Sequence, residues 1–153
     1  MAVRGTGAWP YGLGQIYLMK EPPKLLPPYR ISVIDDDIDF LDFLQTYLDR
    51  LGYGSHSFKA PISPEDLKRA LDSDLILVDL FMPRFDGLEF LREATSNNAS
   101  PPIIMMTGHT EYLYGIYQRA SKTLGAVQMI AKTELVTHLP EILARHIPVP
   151  ARE

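Results

Sequence analysis

The apolar residues of this chain fall into short unbroken blocks separated by longer stretches with helical spacing. Leu75-Ile76-Leu77-Val78 is one such block. Four consecutive apolar residues are long enough for a strand and too short for a typical helix. They do not alternate with polar residues, so both faces are expected to be covered, as in a central strand of a parallel sheet. Ile103-Ile104-Met105-Met106 repeats the pattern, and residues 29–34, 53–58 and 126–130 read as three further strands.

Between these blocks the period becomes that of a helix. Phe40, Leu41, Leu44, Tyr47, Leu48 and Leu51 form one stripe, with Asp37 where an N-cap belongs and Gly52 as the stop. Ser63-Pro64-Glu65-Asp66 reads as N-cap, N1 proline and acidic first turn of a helix running through Leu67, Ala70 and Leu71. An Asp86-Gly87 turn precedes a helix over 88–94, and another spans 111–124 with Gly125 as its end. The last stripe is Leu135, Leu139, Ile142, Leu143 and Ile147. Pro140 lies inside it and lacks a backbone donor, so the pattern predicts a short turn and then a main helix from near Pro140. Strand and helix alternate five times. Right-handed crossovers then give an α/β fold, a five-stranded parallel sheet with helices on both faces.

Residues 1–28 differ from the rest: they hold Trp9, several glycines and the pairs Pro22-Pro23 and Pro27-Pro28. They read as an N-terminal Pro/Gly/aromatic extension with a polyproline-like lead-in, followed by one domain over 29–147 and a tail over 148–153. The formal net charge is −4. Arg4, Lys20 and Lys24 against Glu21 make the extension +2, which leaves −6 for the remainder. That balance argues against a nucleic-acid surface, which rests on clustered Lys and Arg. Absence of cysteine excludes a disulfide framework, a thiolate metal site and a thiol nucleophile. No apolar run approaches membrane-spanning length, and the N-terminus lacks the block of a secretory signal, so the chain reads as cytoplasmic.

Candidate chemistry gathers at the strand ends. Asp35 and Asp36, Asp79, Thr107 and Lys132 each follow a predicted strand, on the sheet edge where open α/β folds place their sites. A lone Asp there is ordinarily a turn former or a helix cap, the role that fits Asp37. Three converging carboxylates are different. At 4–5 Å they repel by roughly 4 kcal/mol per pair at an effective dielectric of about 20, so such a cluster calls for a cation. Oxygen ligands with open positions suit Mg²⁺, which keeps waters and favours phosphate-bearing partners. Mg²⁺, a carboxylate, a hydroxyl and an ammonium together equip a site for phosphoryl transfer.

Residues 29–146 resemble the receiver domain of two-component response regulators. The likeness is carried by Val33-Ile34-Asp35-Asp36-Asp37, by Leu77-Val78-Asp79-Leu80-Phe81-Met82-Pro83-Arg84-Phe85-Asp86-Gly87, by Met106-Thr107-Gly108, and by Gly125-Ala126 with Lys132. The resemblance implies a flavodoxin-like (βα)5 fold with strand order 2-1-3-4-5. It implies that Asp79 is a phosphoacceptor served by a sensor histidine kinase, a histidine phosphotransfer protein or a small phosphodonor. Asp36, Asp79 and the main-chain carbonyl of Phe81 would bind Mg²⁺, with Asp35 acting through water. Lys132 would pair with phosphoryl oxygens, and Thr107 would swing toward them and move an output face that includes His109 and Met129.

Three departures are visible. Thr133 follows the lysine where the family usually has proline after a cis bond; such a bond before a non-proline costs ~2.5–4 kcal/mol, so a trans bond and a differently shaped loop are expected. Met129 stands where the family often has Tyr or Phe. Thr107 and Lys132 are 25 residues apart, more than is usual, with the extra length assigned to residues 108–114.

The leading reading is a stand-alone receiver that signals by protein contact to a downstream target, with homodimerisation left open and no catalysis beyond Mg²⁺-assisted self-phosphorylation and autodephosphorylation. A phosphorylation-independent interaction module is the alternative; Thr133 and Met129 speak for it, and the complete acidic pocket speaks against it. A small Mg²⁺-dependent phosphatase would want a second acid two residues beyond the nucleophile, where Phe81 stands. His56, His138 and His146 have no metal-ligand spacing and read as surface, and His109 has the bland reading of a solvated loop residue.

Overall fold

The structure is a computed structural model that describes residues 29–96, 99–108 and 113–147. The expectations for 1–28 and 148–153, and that for His109, lie outside the described residues.

Strands β1 (Arg30–Asp35), β2 (Gly54–Lys59), β3 (Leu75–Asp79), β4 (Ile103–Thr107) and β5 (Gln128–Ala131) form one parallel sheet in the order β2-β1-β3-β4-β5. Among the described residues, five α-helices accompany it: α1 (Ile38–Arg50), α2 (Pro64–Leu71), α3 (Gly87–Thr95), α4 (Tyr114–Thr123) and α5 (Leu135–His146). Strand boundaries shift by a residue or two from the pattern-based ones, and the topology is the one expected.

The unbroken apolar blocks have the predicted cause. Along β3, Leu75 and Leu77 join the core layer under α1 and α5, with Leu44, Leu48 and Leu139. Ile76 and Val78 point the other way, into the layer with Ala70, Phe90 and Leu91 from α2 and α3. Both layers are fully apolar at the strand, which removes any place for the polar half of an alternating pattern. Each such side chain taken from water contributes about 1.5–3 kcal/mol.

The punctuation holds in detail. Asp37 caps α1 by accepting from the backbone N–H groups of Asp39 at 3.0 Å and Phe40 at 3.3 Å. Ser63 caps α2 by accepting from Asp66 N–H at 3.1 Å. Gly52 and Gly125 take the left-handed conformation past their helices, at φ +89° and +105°.

Two local expectations need correction. Pro140 does not start the last helix. A 3-10 turn, Lys132–Glu134, leads into α5 at Leu135, and Pro140 sits inside it. Its ring leaves the Val136 carbonyl without the usual helical donor, and the Tyr47 hydroxyl of α1 donates to that carbonyl at 2.7 Å. The helix continues because buried Leu135, Leu139, Ile142 and Leu143 anchor both sides of the proline. The second correction concerns Asp86-Gly87, which is not a turn. Asp86 is the N-cap of α3, its Oδ1 accepting Leu88 N–H at 2.9 Å. The turn falls at Pro83-Arg84, between the paired two-residue strands Phe81–Met82 and Phe85–Asp86, and Arg84 takes φ +62°.

Candidate functional site

Register decides which strand ends meet. Ile34 of β1 pairs with Val78 of β3, so Asp35 and Asp79 emerge together. Asp79 pairs with Met106 of β4, and Thr107 pairs with Ala131 of β5, which puts Thr107 and Lys132 next in line. Four adjacent strands thus bring Asp35, Asp79, Thr107 and Lys132 to one edge. Asp35 is fully buried, Asp79 and Thr107 are buried, and Asp36 is half-buried.

Carboxylate oxygens of Asp35, Asp36 and Asp79 lie within 4.8 Å of one another. Lys132 Nζ stands 2.6 Å from Asp35 Oδ2 and 3.3 Å from Asp79 Oδ2. The shorter contact is an ion pair at hydrogen-bonding distance. Asp35 Oδ1 accepts the Asp37 N–H at 2.9 Å. The Lys132 ammonium also lies over the Phe40 ring, 4.4 Å from its centroid.

These surroundings set the charges. Burial pushes the Asp79 carboxyl from 3.8 up to about 6, with Lys132 opposing and the Asp35 and Asp36 charges adding to the rise. Burial likewise raises Asp35 against the pull of Lys132 and of the Asp37 N–H. For Lys132, burial works downward, but Asp35 and Asp79 outweigh it and hold the ammonium above its usual value. Among the described residues, the Lys132 ammonium is paired with two of the three clustered carboxylates, Asp35 and Asp79. The deficit of positive charge and the all-oxygen donor set fit a hard divalent ion such as Mg²⁺.

Phe81 is exposed at the rim, and its ring meets Tyr117 of α4 edge-on, with centroids 4.7 Å apart. Met129 is buried in the layer beneath α4, where the Tyr114 hydroxyl donates to its carbonyl at 3.4 Å. Among the described residues the cis peptide is Ala60–Pro61, so the Lys132–Thr133 bond is trans, as its sequence predicted. Sequence reasoning missed Phe40, Tyr114 and Tyr117 as neighbours of the site. The three-residue spacing of the two tyrosines was a usable signal that α4 turns an aromatic edge inward; Phe40 looked like one more core residue of the α1 stripe.

The family described as response regulator receiver domain matches residues 31–144. The transcriptional regulatory protein FixJ of Bradyrhizobium diazoefficiens is 32% identical over 102 residues, covering 67% of this chain and 48% of that protein. A protein-glutamate methylesterase/protein-glutamine glutaminase of Burkholderia thailandensis is 36% identical over 109 residues, 67% of this chain and 29% of that protein. The chain therefore spans about half the length, or less, of these curated relatives. Among solved structures, the signal receiver domain of a DNA-binding response regulator from Colwellia psychrerythraea superposes with a TM-score of 0.67 at 25% identity, covering 76% of this chain and 96% of that one. The chemotaxis protein CheY4 of Vibrio cholerae shares the fold at a TM-score of 0.66 and 24% identity, with 78% and 98% covered.

Proposed function

This chain belongs to the response regulator receiver domain family, and from that premise we propose that Asp79 accepts a phosphoryl group in a Mg²⁺-dependent reaction and that the protein signals by protein contact. The donor is the phosphohistidine of a sensor kinase or phosphotransfer protein, or a small phosphodonor. A carboxylate oxygen of Asp79 attacks phosphorus; the new P–O bond forms as the P–N bond to histidine breaks, and the imidazole leaves with its electron pair. Asp35, Asp36, Asp79 and the Phe81 main-chain carbonyl are the groups proposed to hold Mg²⁺. When bound, the ion supplies positive charge against the transferring phosphoryl oxygens.

The chain's own residues do the rest. Asp79 is buried at the end of a rigid central strand, so the nucleophile is oriented before the donor arrives. Lys132 exchanges its contact with Asp79 Oδ2 for a phosphoryl oxygen, keeping the ammonium paired throughout. Thr107, at the end of the neighbouring strand, offers a hydroxyl to the same group, and its movement is proposed to pass to α4 and to the Met129 layer behind it. A part for His109 in the output belongs to the same proposal. This is a two-state element biased by one new charged group. The receiver is a signalling module, and the likeness to a methylesterase is confined to less than a third of that protein.

The single observation that carries the reading is the Lys132 ammonium set between Asp35 and Asp79 beside a third carboxylate. Beryllofluoride, which mimics an acyl phosphate, tests it. Bound ¹⁹F resonances that require both Mg²⁺ and Asp79 are expected. Their absence at saturating Mg²⁺ and beryllofluoride would favour a phosphorylation-independent interaction module.

A further inference from the structure

Lysine carries a compact point charge on a flexible stem, so a site that depends on one must say what places it. The backbone here does little of that work: Lys132 opens a 3-10 turn, its following peptide is trans, and Thr133 is exposed. Two carboxylates draw the ammonium inward, at 2.6 and 3.3 Å. On another side stands the ring of Phe40, 4.4 Å away at its centroid and within the range where a ring face attracts a cation.

We propose that Phe40 is a positioning residue that holds the Lys132 ammonium at the acidic pocket through the face of its ring. The proposal deepens the functional reading above and rests on it for its consequence, though not for its geometry.

The residues around Phe40 explain how the ring is itself held. Its backbone N–H donates to Asp37 Oδ1, the cap of α1. Asp37 in turn donates its own N–H to Asp35 Oδ1, while Lys132 approaches Asp35 Oδ2. The ring packs on the apolar layer under α1 and α5 and lies tilted against Phe43 with centroids 6.4 Å apart. Asp35, Asp37, Phe40 and Lys132 therefore form a closed circuit that ties the β1–α1 junction to the β5–α5 junction. An aromatic face attracts a cation whichever oxygen that cation is paired with. During transfer, Lys132 must give up a carboxylate oxygen for a phosphoryl oxygen, and the ring retains the ammonium through that exchange. The Lys132 side chain is only 20% exposed, so water competes weakly for it.

The test uses Phe40→Leu, which keeps apolar bulk and loses the ring, and Phe40→Tyr, which keeps the ring. Phe40→Met is the second apolar variant should Phe40→Leu fail to fold. In the unphosphorylated protein, the ε-methylene protons of Lys132 are expected to show an upfield ring-current shift that Phe40→Tyr keeps and the apolar variants lose. With acetyl phosphate and Mg²⁺ at saturation, the phosphorylation rate is expected to fall by about three- to thirty-fold in the apolar variants and to stay near wild type in Phe40→Tyr. An unshifted Lys132 in the wild-type protein overturns the proposal. So does a rate for Phe40→Leu equal to wild type, or a loss in Phe40→Tyr as large as in Phe40→Leu, which would mean packing alone. A wild-type protein that takes no phosphoryl group counts against the functional reading, and the NMR shift then decides the role of Phe40 by itself.

Discussion

Gly87 lies against the main chain that carries Asp79: a Cβ at Gly87 would stand 2.3 Å from the Asp79 carbonyl oxygen and 2.9 Å from Leu80 Cα. Its N–H also donates to the Leu80 carbonyl at 3.2 Å. The glycine is there so that the start of α3 can close on the end of β3, which fixes the backbone on which the acceptor sits.

Gly87→Ala must therefore push strand and helix apart, because the obstructing atoms are backbone and cannot rotate away. Overpacking costs typically 1–3 kcal/mol, and the upper end, about 3 kcal/mol, is expected here. Urea denaturation measures it, and a loss below about 1 kcal/mol would show that the junction relaxes freely.

Tyr47 and Pro140 form a compensating pair. The Tyr47 hydroxyl supplies the donor that Pro140 withholds from Val136, in a partly exposed setting. Tyr47→Phe is expected to cost about 1 kcal/mol. The same change is expected to cost less in a Pro140→Ala background, where a helical N–H reaches the Val136 carbonyl. A double-mutant cycle showing no coupling would contradict this.

Stability without divalent ions is expected to depend on pH through Asp79. Its carboxyl sits near 3.8 when unfolded and about 6 when folded, raised by burial. Between those values the folded state holds a proton that the unfolded state has released, so stability falls as pH rises from about 4 to about 6 and stays low above that. The shift corresponds to about 3 kcal/mol at most. Asp79→Asn removes it: in chelator, the variant is expected to match wild type near pH 4 and to exceed it by roughly 1–3 kcal/mol at pH 7. Added Mg²⁺ should narrow the gap. Equal stabilities at pH 7 in chelator would mean that Asp79 carries no such penalty.

Much of this architecture is legible in the chain because local and global signals agree. Asp37, Ser63 and Gly125 act as cap and stop where their chemistry places them, and the apolar block of β3 announces a strand covered on both faces. The strand-end residues Asp35, Asp79, Thr107 and Lys132 could be placed on one edge from strand order alone. What escaped has a common cause: it depends on contacts between distant residues. Pro140 reads as a helix breaker until Tyr47, in another helix, supplies the missing donor. Gly87 reads as a turn residue until the Asp79 carbonyl is seen against it. Phe40 belongs to a core stripe by spacing, and only the fold brings the Lys132 ammonium to its face.

The most direct measurement is intact mass after incubation with acetyl phosphate and Mg²⁺, run beside Asp79→Asn and a chelator control. If Asp79 is the phosphoacceptor, the wild-type protein gains one phosphoryl group, and neither the variant nor the chelated sample does. A gain that survives Asp79→Asn, or no gain in a wild-type protein that also fails to bind beryllofluoride, would contradict it.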